Sequence, residues 1–189
     1  MATTLSGEFP RLFSDNKNFL VLLPRNFGYD LERLNPKTGA NVWKPGARLC
    51  DHAFERDAIA FHDGAVYYAS GNTLFARKLD TGDLLWKREL PDSVRGWRVK
   101  ATKQALMVFP GAMDEPQLVS IPLGNLSFTV PMRKRPKYPF CLQVHHYKDG
   151  KLAQRLEFEG DVSGAGVQFF PDMVVVTAGR KAWGLRGKN

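Results

Sequence analysis

The chain has 189 residues, of which 43% are hydrophobic and 24% charged, with a net charge of +8 and a pI near 9.6. These values exclude a disordered chain and are typical of a folded protein with one sizeable core or several repeats. The positive net charge favours contact with an anionic partner, and it also promotes solubility.

The first residues, MATTLSGEFPRLF, lack the basic and apolar regions of a secretory signal. No run approaches the roughly 18 apolar residues of a membrane helix, so we expect no membrane span. As written, the sequence indicates a cytoplasmic location. A location in the cell envelope or outside the cell follows instead if the sequence is a mature form or a fragment.

Short apolar runs alternate with turn-forming residues along the chain. The sequence contains 17 Gly, 12 Pro and 13 Phe, and no segment longer than a turn has a helical period. Three successive units, at about 12–46, 58–91 and 97–131, each offer four short strands. We therefore predict an all-β fold in which residues 1–189 form a single domain of repeated, four-stranded antiparallel sheets.

A short motif repeats within these units. Thr38-Gly39 is followed four residues after the glycine by Trp43, and Thr81-Gly82 is followed in the same way by Trp86, 43 residues further on. A degenerate third copy keeps Gly124 and places Phe128 at the aromatic position. A constant step of this kind predicts one structural unit that recurs.

The motif is typical of a hairpin. Asn or Asp opens the turn, and the glycine supplies the positive φ that closes it. The tryptophan then lies at a fixed height on the outgoing strand. We expect it to pack against the sheet of the neighbouring unit, so that the same large ring reaches the same contact each time.

The last part of the chain is less regular. Residues 138–158 predict one hairpin that turns at Lys148-Asp149-Gly150, and residues 166–186 predict three strands, with Gly179 and Trp183 as a partial repeat. The fourth strand is missing after Leu185. Residues 3–9 could complete the last unit, two chains could join in one ring as a homodimer, or the remaining units could belong to a longer chain.

The pattern T-G-x-x-x-W, preceded by Leu-Asn or Leu-Asp, resembles the quinoprotein-type (PQQ-like) β-propeller repeat. The resemblance covers residues 12–131 well and 138–186 loosely. The sequence has no Trp-Asp dipeptide, which separates it from WD-type propellers. The resemblance implies a propeller-like array of about four to five blades, as a closed ring or as a partial propeller.

The same resemblance implies two classes of function. Quinone-dependent dehydrogenases of this superfamily have eight blades, an acidic calcium site and often neighbouring cysteines, whereas other members assemble outer-membrane proteins or sense ligands without a cofactor. Cys50 and Cys141 lie far apart, and no calcium set can be placed on a motif. We therefore predict a non-enzymatic scaffold that binds a protein through its inter-strand loops, without cofactor. An enzyme or remnant that binds PQQ and calcium is the alternative.

Basic residues next to aromatic ones support a third hypothesis, the binding of an anionic polymer such as nucleic acid. Clustered cations can grip phosphates and nearby rings can stack on bases, and a solvated loop explains the same residues equally simply. The candidates are Arg95 and Arg98 on either side of Trp97, and Arg133, Lys134, Arg135 and Lys137.

Histidines and nucleophiles offer no further site. His145 and His146 are adjacent on a predicted strand and so point to opposite faces, and His52 and His62 have no partner at metal-ligand spacing. The sequence has no G-x-S-x-G elbow. We predict no catalytic and no metal-binding residues.

Overall fold

The structure is a computed structural model that describes residues 10–15, 17–25, 28–43, 48–50, 58–90, 96–111, 117–123, 126–132, 140–158, 165–171, 173–178 and 180–186. At residues 25, 48–50, 117–123 and 126–132 only the backbone is described. The described segments contain seventeen strands and no α-helix, so the predicted all-β fold is confirmed. No helix among them is long and apolar enough to cross a membrane.

The strands in chain order are β1 (Arg11–Ser14), β2 (Phe19–Arg25), β3 (Gly28–Leu34), β4 (Arg48–Cys50), β5 (Ile59–His62), β6 (Ala65–Ser70), β7 (Thr73–Lys78), β8 (Leu84–Glu89), β9 (Trp97–Ala101), β10 (Leu106–Pro110), β11 (Gln117–Leu123), β12 (Leu126–Met132), β13 (Phe140–His145), β14 (Leu152–Phe158), β15 (Gly166–Phe169), β16 (Val174–Ala178) and β17 (Lys181–Leu185).

The chain divides into two compact units, of which the first contains residues 1–109 and 143–155. Two of its sheets are simple meanders, in the order β1-β2-β3-β4 and β5-β6-β7-β8. Each strand pairs antiparallel with the next along the chain. Short turns join these strands, except that residues 35–47 connect β3 to β4. Strand β6 is buried throughout, whereas β8 is exposed at every residue except Trp86, as expected for an outermost strand.

The core of this unit lies between the first and the second sheet. Alternate residues of the first sheet point inward, and they pack on residues of the second sheet. The buried members are Phe13, Leu20, Leu22, Leu31 and Trp43 from the first sheet, and Ala58, Val66, Tyr68 and Leu79 from the second.

The third sheet has the order β14-β13-β10-β9, which differs from the predicted unit at 97–131. Strand β10 pairs with β13, with Leu106 opposite His145, instead of pairing with β11. Strands β11 and β12 pair with each other from Gln117–Met132 to Leu123–Leu126. In chain order this hairpin is therefore an insertion between β10 and β13, which pair directly with each other in the sheet.

The second unit contains residues 110–142 and 156–189. Its three-stranded sheet has the order β15-β16-β17, and the central strand β16 buries alternate residues. Phe158 contacts Phe140 and Trp183, with ring centroids 6.1 and 5.1 Å apart. Cys141 is buried in β13.

Candidate functional site

Three turns of the first unit have the same backbone geometry. In the turns at 35–40, 78–83 and 146–151, the first residue accepts a hydrogen bond from the glycine N–H and donates to the carbonyl of the last residue. The N···O distances lie between 2.8 and 2.9 Å, and the glycines, Gly39, Gly82 and Gly150, have φ of 69, 77 and 67°. We name them the first, second and third socket turns.

A tryptophan from the preceding sheet packs on the second and the third socket turn. A Cβ atom added to Gly82 would lie 2.8 Å from ring atoms of Trp43, and one added to Gly150 would lie 2.5 Å from the ring of Trp86. No side chain fits beneath either indole, so glycine is required there for close approach as well as for its positive φ.

The indole N–H groups bond to equivalent carbonyls. Trp43 Nε1 donates to the Leu79 carbonyl and Trp86 Nε1 donates to the Tyr147 carbonyl, both at 2.8 Å. Each carbonyl belongs to the residue three positions before the socket glycine. A socket therefore consists of a bare glycine and one carbonyl, and it binds an indole by packing and by one hydrogen bond.

Arginine side chains add a further contact at each place where a tryptophan packs on a socket turn. Arg33 Nη1 donates to the Leu79 carbonyl at 3.1 Å, beside the Trp43 N–H. Arg88 Nε donates to the Asp149 carbonyl at 2.9 Å. Because both arginines belong to the sheet that supplies the tryptophan, each sheet holds the next sheet's turn at two points.

The structure places the other motif residues in different roles. The Oγ1 atoms of Thr38 and Thr81 accept backbone N–H bonds inside their turns, from Ala40 and Asp83. Trp183 lies on β17, the third strand of its sheet, and packs on Phe158. Gly124 and the side chain of Phe128 lie outside the described residues, and Phe128 belongs to the inserted hairpin.

An aromatic cluster supports the third socket turn. Tyr147 stacks on His62 with centroids 4.1 Å apart and lies 5.2 Å from Tyr67, which in turn contacts Trp86. The Tyr147 hydroxyl donates to the Thr102 and Ala105 carbonyls. Burial, partly offset by the bond to Thr102, raises the pKa of Tyr147 to about 12, so the phenol remains a donor.

A buried polar pair also holds this turn. His145 and Gln143 are both buried in β13, and His145 Nδ1 lies 3.0 Å from the Gly150 carbonyl. Its Nε2 lies 3.0 Å from the Gln143 side-chain amide, which can present either its oxygen or its nitrogen. Burial and the neighbouring His146 lower the pKa of His145 despite the bond to Gly150, so the ring is neutral and Nδ1–H donates to Gly150.

A cavity of about 540 Å³ opens where the first strands of the three sheets meet. Six of its described lining residues have apolar side chains and three have polar ones. The described lining residues are Leu12, Phe13, Ser14, Asp15, Ile59, Ala60, Phe61, Lys100 and Ala101.

The one carboxylate in this described lining, Asp15, forms hydrogen bonds within its own turn. Asp15 accepts hydrogen bonds from the backbone N–H groups of Lys17 and Asn18 and from the Asn18 side chain. Burial acts to raise the pKa of Asp15, but these bonds outweigh it and hold the pKa below its ordinary value. A quinone tricarboxylate with calcium needs several cations and carboxylates, so the described lining does not fit that pair.

The described part of the chain contains no group of three His, Cys, Asp or Glu side chains that could hold a metal. Of the predicted anion-binding residues, Arg98 lies partly exposed on β9 and has an interaction partner. The remaining candidates, Arg95, Arg133, Lys134, Arg135 and Lys137, lie outside the described residues.

Exposed apolar side chains lie on β8, on β14 and in the segment that follows the first socket turn. Leu84, Leu85 and Leu152 are each 45% exposed, and Val42 is 43% exposed. Val42 and Leu85 both directly precede a socket tryptophan, and Leu84 and Leu152 both follow a socket glycine by two residues. We name these four residues the apolar rim.

Several residues that build these features carry no sequence signal of their own. Gly150 stands without a following tryptophan, since Gln154 occupies that position. Gln143, His145 and Tyr147 gain their roles only when β13 pairs with β10. The Lys148-Asp149-Gly150 turn is the one element of this region that the sequence signals, by the same Asp-Gly chemistry as the second socket turn.

No protein-family model matches the chain, and no curated protein matches its sequence. The chain is similar to the crystal structure of BamB from Moraxella catarrhalis, with a TM-score of 0.54 and 10% identity over 88% of this chain. It is also similar to a europium-containing methanol dehydrogenase, with a TM-score of 0.48 and 12% identity, over 82% of this chain and 27% of that one. The chain spans 39% of the length of BamB. The first similarity supports the predicted β-propeller fold.

Proposed function

We propose that this chain is a non-enzymatic scaffold that binds a protein partner across its outer strands. The observation that carries the proposal is the apolar rim, whose leucine and valine side chains are exposed at matching positions of successive sheets. Exposed apolar residues are ordinary when scattered, whereas a set repeated along one edge is typical of an interaction surface.

The composition around the rim supports the same proposal. Lys87 and Arg88 follow Leu85 on β8, and Lys151 precedes Leu152, so cations border the apolar side chains. An apolar centre with a charged border is the usual build of a protein interface. The joints beneath the rim are fixed by Trp43 and Trp86, so the surface is preorganised for binding.

Site-specific photo-cross-linking tests this function. A benzoylphenylalanine at Leu85 or Leu152, irradiated in an extract of the producing cells, should give an adduct with the same protein from both positions. Gln104 is exposed in the turn between β9 and β10 and serves as the control position. Adducts at neither rim position, or equal adducts at Gln104, would contradict the proposal.

A further inference from the structure

A second cavity of the first unit, of about 390 Å³, lies where turns of the second sheet meet β3 of the first sheet. Its described lining shares no residue with the lining of the 540 Å³ cavity. The lining residues are Arg33, Gly64, Lys78, Leu79 and Asp80. Two of them are cations and one is a carboxylate, so the described lining has one net positive charge.

Arg33 is the half-buried cation of this lining. Its Nη1 donates to the Leu79 carbonyl at 3.1 Å, and its Nη2 donates to the side-chain oxygen of Asn18 at 3.0 Å. Both acceptors are neutral, and no carboxylate of the described residues pairs with Arg33. A guanidinium has more N–H groups than these two bonds use, so donors remain for an anionic ligand.

Lys78 and Gly64 give the cavity a second cation and an open side. Lys78 is exposed at the end of β7, and no described side chain binds its ammonium group. No described atom lies within 4 Å of a Cβ built on Gly64, so the space in front of this turn is open. The Gly64 carbonyl accepts the Leu79 N–H at 2.8 Å, which fixes the turn beside the lining cations. The cavity therefore gives an anion access to both Arg33 and Lys78.

We propose that this cavity, which we name the carboxylate pocket, binds the carboxylate of an aspartate or glutamate side chain on the protein partner. The proposal rests on the scaffold function and deepens it by naming the chemistry of one partner residue. Arg33 donates hydrogen bonds from its remaining N–H groups, and Lys78 contributes a second positive charge. Arginine is among the residues that most often dominate the affinity of a protein interface.

The charge of the lining favours a carboxylate over a phosphate group. One net positive charge balances the single charge of a carboxylate, whereas Asp80 repels a phosphate dianion more strongly. The net charge of the chain, +8, attracts an acidic partner at longer range. We therefore assign a carboxylate, and phosphate is the competing ligand in the test below.

The carboxylate pocket and the apolar rim share the second socket turn. The Lys78 N–H bonds to the Asp83 carbonyl at 2.9 Å, and Asp83 directly precedes Leu84 of the rim. The Leu79 carbonyl, which accepts from Arg33, belongs to the same turn. A single partner segment can therefore pack an apolar side chain on the rim and place an acidic side chain in the pocket.

Acetate, a minimal carboxylate, is the probe. The full chain labelled with ¹⁵N is titrated with sodium acetate in place of sodium chloride at constant ionic strength, so that screening does not change. We expect saturable shifts of the Gly64, Lys78 and Leu79 amide signals, with a Kd on the order of tens of millimolar. Sodium phosphate should give weaker shifts. No saturable shift with acetate, or a stronger response to phosphate, would overturn the assignment.

Three variants locate the site. Arg33→Gln removes the guanidinium and should weaken acetate binding about fivefold or more. Asp80→Asn removes the repelling carboxylate at an exposed position and should strengthen binding about twofold to threefold. Lys103→Gln removes a cation in the exposed β9–β10 turn, outside the described lining, and should leave binding unchanged. Equal binding by R33Q and K103Q, or weaker binding by D80N, would contradict the pocket.

The cross-linking experiment separates the pocket from the scaffold function. If acetate does not bind while Leu85 and Leu152 still cross-link to a protein, the pocket assignment is wrong and the scaffold function stands. If acetate binds and R33Q also weakens the cross-link at Leu85, the partner presents a carboxylate to the pocket. A cross-link that R33Q leaves unchanged would show that this partner does not use the pocket, which overturns the proposal.

Discussion

At the scale of single residues, the three socket glycines allow one interaction to be measured. Substitution by alanine imposes the same positive-φ strain of about 1–2 kcal/mol at Gly39, Gly82 and Gly150. Only at Gly82 and Gly150 does the new methyl group also collide with a buried indole. We therefore expect G82A and G150A to lose about 1–3 kcal/mol more than G39A in urea unfolding.

Because the three alanine variants share the same backbone strain, the difference between their free energies of unfolding measures only the collision with the indole. If all three alanine variants lost the same free energy of unfolding, the indoles would not be packed on Gly82 and Gly150. A loss confined to G39A would contradict the description of the first socket as open.

His145 gives a second residue-scale prediction, in pH. Its folded-state pKa lies below the ordinary 6.5, so the unfolded chain binds the proton more readily. The stabilisation from the neutral ring is thus complete above about pH 6.5 and declines as the pH falls below it. Wild type should lose free energy of unfolding between pH 7.5 and 5, and H145Q should lose less.

His146 serves as the control, because it is exposed and adjacent. The H146Q variant should keep most of the acid-induced loss of the wild type, because burial is the main cause of the lowered pKa of His145. An H145Q variant whose stability fell with pH as steeply as that of the wild type would show that the buried ring is not the group responsible.

At the scale of elements, the third sheet shows what the sequence could and could not predict. The motif search finds the first two turns because both keep Thr-Gly and Trp. It places the third copy at Gly124 and Phe128, whereas the equivalent turn is the one closed by Gly150. The inserted β11–β12 hairpin shifts that turn along the chain, and Gln154 removes the tryptophan that would have marked it.

The insertion leads to a prediction for the hairpin itself. Strands β10 and β13 pair directly from Leu106–His145 to Val108–Gln143, so their register does not depend on the hairpin. Replacement of residues 117–132 by a short Gly-Ser linker should leave the third socket turn filled by Trp86. Its indole N–H signal should keep its chemical shift, whereas a shift to the free-indole position would show that the hairpin is part of the sheet.

At the scale of the first unit, each socket tryptophan packs on the sheet that follows its own sheet along the chain. The first sheet supplies Trp43 to the second sheet, and the second supplies Trp86 to the third. In the third sheet Gln154 takes the place of the tryptophan that follows the socket glycine by four residues. The third sheet therefore offers no indole at this position.

The sequence predicted the all-β class and the propeller-like repeat, because turn chemistry and aromatic spacing are local signals. It also predicted that the motif tryptophans reach a neighbouring sheet. It did not reveal that the receiving group is the glycine of the next copy of the same motif. That pairing, the cavity beside Asp15 and the His145–Gln143 pair depend on contacts between distant segments.

The most direct test of these joints is the ring-current shift of the socket glycines. Protons above an indole face resonate upfield, so the Gly82 and Gly150 α-protons should lie well upfield of those of Gly39 in the NMR spectrum of the full chain. Trp43→Ala should return only the Gly82 signals to the Gly39 position, and Trp86→Ala only those of Gly150. Three glycines with the same α-proton shifts, unchanged in both variants, would contradict the interlocking of successive sheets by tryptophan.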